Sequence, residues 1–259
     1  MNTLSTLSYA LDGDIARITL RRPAMLNALS PAVGQELSSA LNRALTDKAR
    51  VVVLAGEGRA FSAGGDLSGG MPTERATAHA ALLALQQPIR DIAAMPMPVI
   101  AAVQGAVAGG GVALALACDM VVAARSAYFM LAFVHVGLAP EMGSAWLVAK
   151  SIGRARTLEL ALLGDKLSAE KALEWGLISR VVDDAVLAAE VDALAGRLAK
   201  GPPLALGAIR KEVAQALTGS LEEMFAMEED VAPLLAISRD CHEGVAAFMA
   251  RRPAQFKGE

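Results

Sequence analysis

Phe61-Ser62-Ala63-Gly64-Gly65-Asp66-Leu67 and Gly105-Ala106-Val107-Ala108-Gly109-Gly110-Gly111 are the two stretches that decide how this chain is read. Each follows a short, continuously apolar run, Val51 to Leu54 in the first case and Val99 to Val103 in the second, and each precedes a helical pattern. Glycine lets the backbone approach a ligand closely, and free N–H groups at a helix start carry about half a positive charge. Two such turns brought together make an oxyanion hole. Each taken alone is equally well explained as a tight strand-to-helix turn that needs positive φ.

Working outward, Met120 to Ala123 forms a third apolar run, and runs of this kind separated by helical patterns predict parallel strands covered on both faces. Ala16, Ile18 and Leu20 alternate with Arg17 and Thr19, the period of a half-buried strand. Ser30 followed by Pro31 predicts an N-cap and first helical residue, with Val33, Leu37, Leu41, Ala44 and Leu45 as the buried face. From about Ser168 helix follows helix, broken at Gly176, Gly201 and Gly219, with only a short Val181-Val182 run between. Ser220 and Glu223 have capping-box spacing, and a last helix should end before Pro253. The pattern predicts an α/β core over residues 1–160 and a helical region over 161–259.

The 259 residues carry 24 Lys+Arg against 27 Asp+Glu with no basic block, which argues against nucleic acid as a partner. Cys118 and Cys241 suggest neither a disulfide framework nor a zinc site, so a reducing compartment is the expectation. Residues 1–20 lack the pattern of a signal peptide, and the longest apolar stretch, Val99 to Ala124, is interrupted by Gln104, Asp119 and the triple glycine. A cytoplasmic protein without a membrane partner is expected. There is no Walker A lysine, no G-x-S-x-G and no H-E-x-x-H, and His79, His135 and His242 are too scattered to suggest a metal site.

With their order and spacing, the two glycine turns resemble the crotonase superfamily, also called the enoyl-CoA hydratase/isomerase family. Leu20-Arg21-Arg22-Pro23 with Leu26-Asn27-Ala28-Leu29 is similar to its N-terminal motif. Leu163-Gly164-Asp165, Ser168-Ala169-Glu170 and Trp175-Gly176-Leu177 are similar to the passage into its helical region, and Glu243 to Phe248 with Pro253 and Phe256 to its end. The resemblance covers nearly the whole chain. It implies a spiral of ββα units with a C-terminal helical trimerisation region, a homotrimer or dimer of trimers, and an acyl-CoA thioester as substrate. Coenzyme A is then part of the substrate, and neither a separate cofactor nor a metal is expected. It also implies that the N–H groups of Gly65 and Gly110 hold the thioester oxygen and that CoA lies along Ala63, Gly64, Asp66 and Leu67. Phe248 and Arg251 match positions that touch CoA from a neighbouring subunit.

The resemblance breaks at one informative place. Hydratases of the family activate water with two glutamates, and the matching positions here are Ala113 and Phe133, neither of which can move a proton. Glu141, in Gly137-Leu138-Ala139-Pro140-Glu141-Met142-Gly143-Ser144, instead resembles the single acid of Δ3,Δ2-enoyl-CoA isomerases and of ring-epoxide isomerases. Trp146-Leu147 and Gly153-Arg154-Ala155-Arg156 strengthen the second likeness. For Glu141 the plain alternative is an acid in the first turn of a helix, stabilised by the helix dipole. Asp66 and Asp119 are expected to make structural hydrogen bonds. The expected activity is a double-bond shift from Δ3 to Δ2 with Glu141 as proton shuttle. The alternatives are a ring-epoxide isomerase, a hydratase-like enzyme and a non-catalytic acyl-CoA binder.

Overall fold

The computed structural model describes residues 4–259, so residues 1–3 of the expected core lie outside it. Val51, Val52, Val53 and Leu54 are all buried because their strand is covered on both sides. The strands of the main sheet are β1 (Leu7–Asp12), β2 (Ile15–Leu20), β3 (Val51–Gly56), β4 (Val99–Val103), β6 (Met120–Ala124) and β9 (Arg180–Val182), in the order β1-β2-β3-β4-β6-β9. Within this sheet only the β1–β2 pair is antiparallel. A second sheet holds β5 (Ala106–Ala108), β7 (Tyr128–Met130) and β8 (Leu167–Ser168) in the order β5-β7-β8.

The helices are α1 (Pro31–Thr46), α2 (Arg75–Ala94), α3 (Gly110–Leu116), α4 (Ser144–Ile152), α5 (Arg154–Leu163) and α6 (Ala169–Glu174), then α7 (Leu187–Ala199), α8 (Pro203–Ala216), α9 (Leu221–Ala236) and α10 (Arg239–Met249). On one face of the main sheet Val52, Leu54, Ala101 and Val121 pack with Leu37 and Leu41 of α1 and Leu114 of α3. On the other face Val51, Val53, Ile100 and Val122 meet Val191, Leu194 and Ala195 of α7. Each such aliphatic side chain contributes about 1.5–3 kcal/mol on burial.

The Ser30-Pro31 reading holds: Ser30 Oγ accepts from Val33 N at 3.4 Å, and Val33, Leu37, Leu41 and Ala44 are buried. Leu45, expected on that face, is instead exposed, although Ala44 beside it is buried. The capping box of Ser220 and Glu223 opens α9, and α10 stops at Met249, ahead of Pro253. The chain passes residue 160 inside α5, and β8, β9 and α7 beyond it still join the sheets and the core.

The Arg210 guanidinium fastens α8 to this body: Nε donates to Asp119 at 2.6 Å, Nη2 to Ile92 O at 2.9 Å and Nη1 to Met95 O. Asp119 also accepts from Val99 N at 2.7 Å, the structural bonding expected of it. Beyond α8 the packing changes. Leu234, Ile237, Phe248 and Met249 are between 67 and 82% exposed. Cys118 is buried, which pushes its thiol pKa up, and Cys241 is exposed. No helix of the described residues is long and apolar enough to cross a membrane.

Candidate active site

The segment from Arg22 to Leu29 is the frame on which the first glycine turn is built. Asn27 is buried in a left-handed conformation, φ 55°, and every polar atom of its side chain is used. Its Nδ2 donates to Glu57 O at 3.0 Å and Ala60 O at 2.8 Å, and its Oδ1 accepts from Arg22 N at 2.9 Å. Ser62 Oγ donates to Asn27 O at 2.9 Å, and the Arg22 guanidinium reaches Asp66 Oδ2 at 2.7 Å. Hydrogen bonds from Ser68 Oγ and then Arg22 hold the Asp66 carboxyl at about 2, below the usual carboxylate range. Asp66 is therefore an anchored anion.

The backbone on either side of Gly65 is consumed by its neighbours: Leu29 N donates to Gly64 O at 2.7 Å, and Asp66 N donates to Leu29 O at 2.9 Å. Gly64 stands at φ +93°, and a Cβ there would lie 2.8 Å from Ala108 O, so the two glycine turns touch. Ser62 and Val107 pair as an isolated bridge, which fixes their register. Gly110 opens α3, where the first N–H groups have no intrahelical acceptor. Among the described residues neither Gly65 N–H nor Gly110 N–H is taken by a protein acceptor.

Both face one cavity of about 590 Å³, whose walls include Leu29, Leu82, Leu85, Phe133, Val136 and Met142. Glu141 lines it as well. This residue lies outside α4, ahead of the Gly143 N-cap, so the dipole explanation for its presence does not apply. Met142 and Gly143 are both left-handed, at φ 56° and 79°, and Met142 is a non-glycine residue that gives up energy to be so. The turn is closed by Ser144, fully buried, whose Oγ and N both donate to Glu141 O, at 2.7 and 3.0 Å. Met142 Sδ would stand 2.6 Å from a Cβ on Gly110, so the turn carrying the acid is packed against the second glycine turn.

Of the residues singled out in the sequence, Ala63, Gly65, Asp66, Leu67, Gly110 and Glu141 share this cavity. Gly64 stands behind its wall. Phe248 and Arg251 do not line it: Phe248 is exposed on α10, and Arg251 follows that helix. Ala113 is fully buried in α3, and Phe133 contributes an apolar wall. His135 Nε2 lies 3.0 Å from Gly164 O, tying the segment before Glu141 to the end of α5. The described residues contain no group of three or more His, Cys, Asp or Glu suited to a metal ion. Sequence reasoning did not resolve which residues of α2 face the cavity, and it missed the left-handed turn of Met142, since Met carries no conformational signature.

The sequence profile described as enoyl-CoA hydratase/isomerase matches residues 11–259. The chain belongs to this family. Among its relatives a probable enoyl-CoA hydratase from Rhodobacter capsulatus is 41% identical over 254 residues, covering 98% of both chains. The 1,2-epoxyphenylacetyl-CoA isomerase of Escherichia coli is 40% identical over 267 residues, again with 98% of both covered. A solved enoyl-CoA hydratase from Polaromonas sp. JS666 superposes with a TM-score of 0.93 at 34% identity, over 97% of this chain and 99% of that one. The architecture described above is thus the crotonase fold with its C-terminal helices, and the protein is an enzyme of the enoyl-CoA hydratase/isomerase family.

Proposed function

We propose that this family member isomerises acyl-CoA thioesters, shifting a double bond from Δ3 to Δ2 through an enolate. The observation that carries this reading is that Glu141 is the one carboxylate of the cavity not committed elsewhere, Asp66 being held by Arg22 and Ser68. Two-carboxylate hydration has no second acid at Ala113 or Phe133. One carboxylate suffices for isomerisation: Glu141 takes a proton from the carbon next to the thioester, and the resulting dienolate accepts it back at the γ carbon. The negative charge that develops on the thioester oxygen is met by the N–H groups of Gly65 and Gly110, and this chemistry calls for no separate cofactor. CoA would run along the backbone from Ala63 through Gly64 and Asp66 to Leu67.

The exposed apolar residues of α9 and α10 support a homotrimer or dimer of trimers. The surface of the chain, 13636 Å², exceeds the roughly 10,800 Å² of a compact monomer of its mass by about a quarter. In that assembly Phe248 and Arg251 would reach the CoA of a neighbour. The relative from Escherichia coli favours a second reading, isomerisation of a ring epoxide on the same frame. The test is to offer 3-enoyl-CoA, 2-enoyl-CoA and a ring-epoxide acyl-CoA separately. Formation of the conjugated 2-enoyl product without 3-hydroxyacyl-CoA supports the first reading. Turnover of the epoxide alone supports the second, and hydration of 2-enoyl-CoA at a comparable rate refutes both.

A further inference from the structure

The cavity wall is apolar where α2 meets the core and changes character toward the start of that helix. From Arg75 to Leu85 the first turns of α2 line the cavity, with Arg75, His79, Leu82 and Leu85 spaced at intervals of four and three and Thr77 and Ala81 beside them. Arg75 is the single Lys or Arg among the lining residues. Among the described residues neither the Arg75 nor the His79 side chain has an ion-pair or hydrogen-bond partner, and both residues are exposed. The other charges of the wall differ: Asp66 is already paired with Arg22, and Glu141 sits in the turn against Gly110.

Filling the cavity with an acyl group removes water from this face of α2. A methyl terminus lying there would strip hydration from an unpaired guanidinium and give nothing back, whereas a carboxylate would restore charge-assisted hydrogen bonds. Leu82, Leu85, Phe133 and Val136 suit the aliphatic stretch between the thioester and such a terminus. Building on the acyl-CoA reading above, we propose that Arg75 and His79 form a subsite for a carboxylate at the far end of the acyl chain, making dicarboxylic acyl-CoAs the preferred substrate class.

Binding tests this without requiring turnover. Saturated acyl-CoAs of six, eight and ten carbons, each ending in either methyl or carboxylate, are titrated into the protein by calorimetry, together with Arg75→Ala, Arg75→Lys and His79→Gln. At one or more lengths the carboxylate-ended ligand should bind about tenfold more tightly than its methyl-ended counterpart. Arg75→Ala should remove that ratio, Arg75→Lys should restore part of it, and His79→Gln should reduce it less than Arg75→Ala. Tighter binding of the methyl-ended ligands at every length would overturn the proposal. So would an equal weakening of both series by Arg75→Ala, which would make Arg75 a contact of the CoA phosphates instead. A carboxylate preference without isomerisation of any 3-enoyl-CoA would keep the subsite and remove the isomerase, and isomerisation without the preference would do the reverse.

Discussion

The strands β3, β4 and β6 and the helices α9 and α10 draw on the same aliphatic residues, yet they meet opposite environments. Val51, Val99, Ile100 and Val122 are completely sealed by α1, α3 and α7, whereas Leu234, Ile237 and Phe248 face outward. The difference teaches where the chain is self-sufficient. The sheet core satisfies its own backbone and buries its own side chains, so it can hold the two glycine turns rigidly. The terminal helices carry apolar surface that this chain alone does not cover, which fits a region designed to meet other copies.

The largest break of this comparison is expected from Leu234→Lys combined with Ile237→Lys. Sedimentation should report loss of the proposed oligomer, while far-UV circular dichroism keeps the helix and strand content of the core. Unchanged assembly would detach these residues from the interface. Within the core, Gly64→Ala should cost about 3 kcal/mol in chemical denaturation, because φ +93° is strained for alanine and Ala108 O blocks the added methyl. Gly65→Ala has open space and should stay within about 1 kcal/mol. Equal costs at the two positions would mean that the first turn yields instead of holding.

Smaller effects sharpen the picture. The pKa of Asp66 is lowered in the folded state to about 2, so its contribution is present above the ordinary carboxylate range and is lost as pH falls from near 4 toward 2. The stability gap between the native protein and Asp66→Asn should be on the order of 2 kcal/mol at neutral pH and close over that window. A gap independent of pH would show that the hydrogen bonds from Ser68 and Arg22 do not stabilise the charged carboxylate. Ser144→Ala should cost about 1 kcal/mol of stability and lower kcat with KM held, because it removes one of the two hydrogen bonds to the Glu141 carbonyl and loosens the turn that aims the acid.

Much of the frame was legible because it rests on local signals with a physical period. Continuous apolar runs marked the two-faced strands, Ser30-Pro31 and Ser220 with Glu223 marked helix starts, and the paired glycine turns marked the cavity floor. The edges were not legible. Leu7–Asp12 pairs with Ile15–Leu20 but is buried at only one end, so no alternation announces it, and β8 and β9 are too short to show a period. The placement of Glu141 outside a helix depends on a left-handed Met142 that tertiary packing enforces. Likewise, which face of α2 looks into the cavity is decided by its packing on α1 and α3.

The claim on which the account turns is that a single carboxylate moves the proton. Exchange of α protons for deuterium in a 3-enoyl-CoA, followed by mass spectrometry for the native protein and for Glu141→Gln, tests it most directly. The native protein should exchange label and form the conjugated product, and Glu141→Gln should slow both by about 10²- to 10⁴-fold while acyl-CoA binding is retained. Equal exchange by the two proteins would show that Glu141 is not the base.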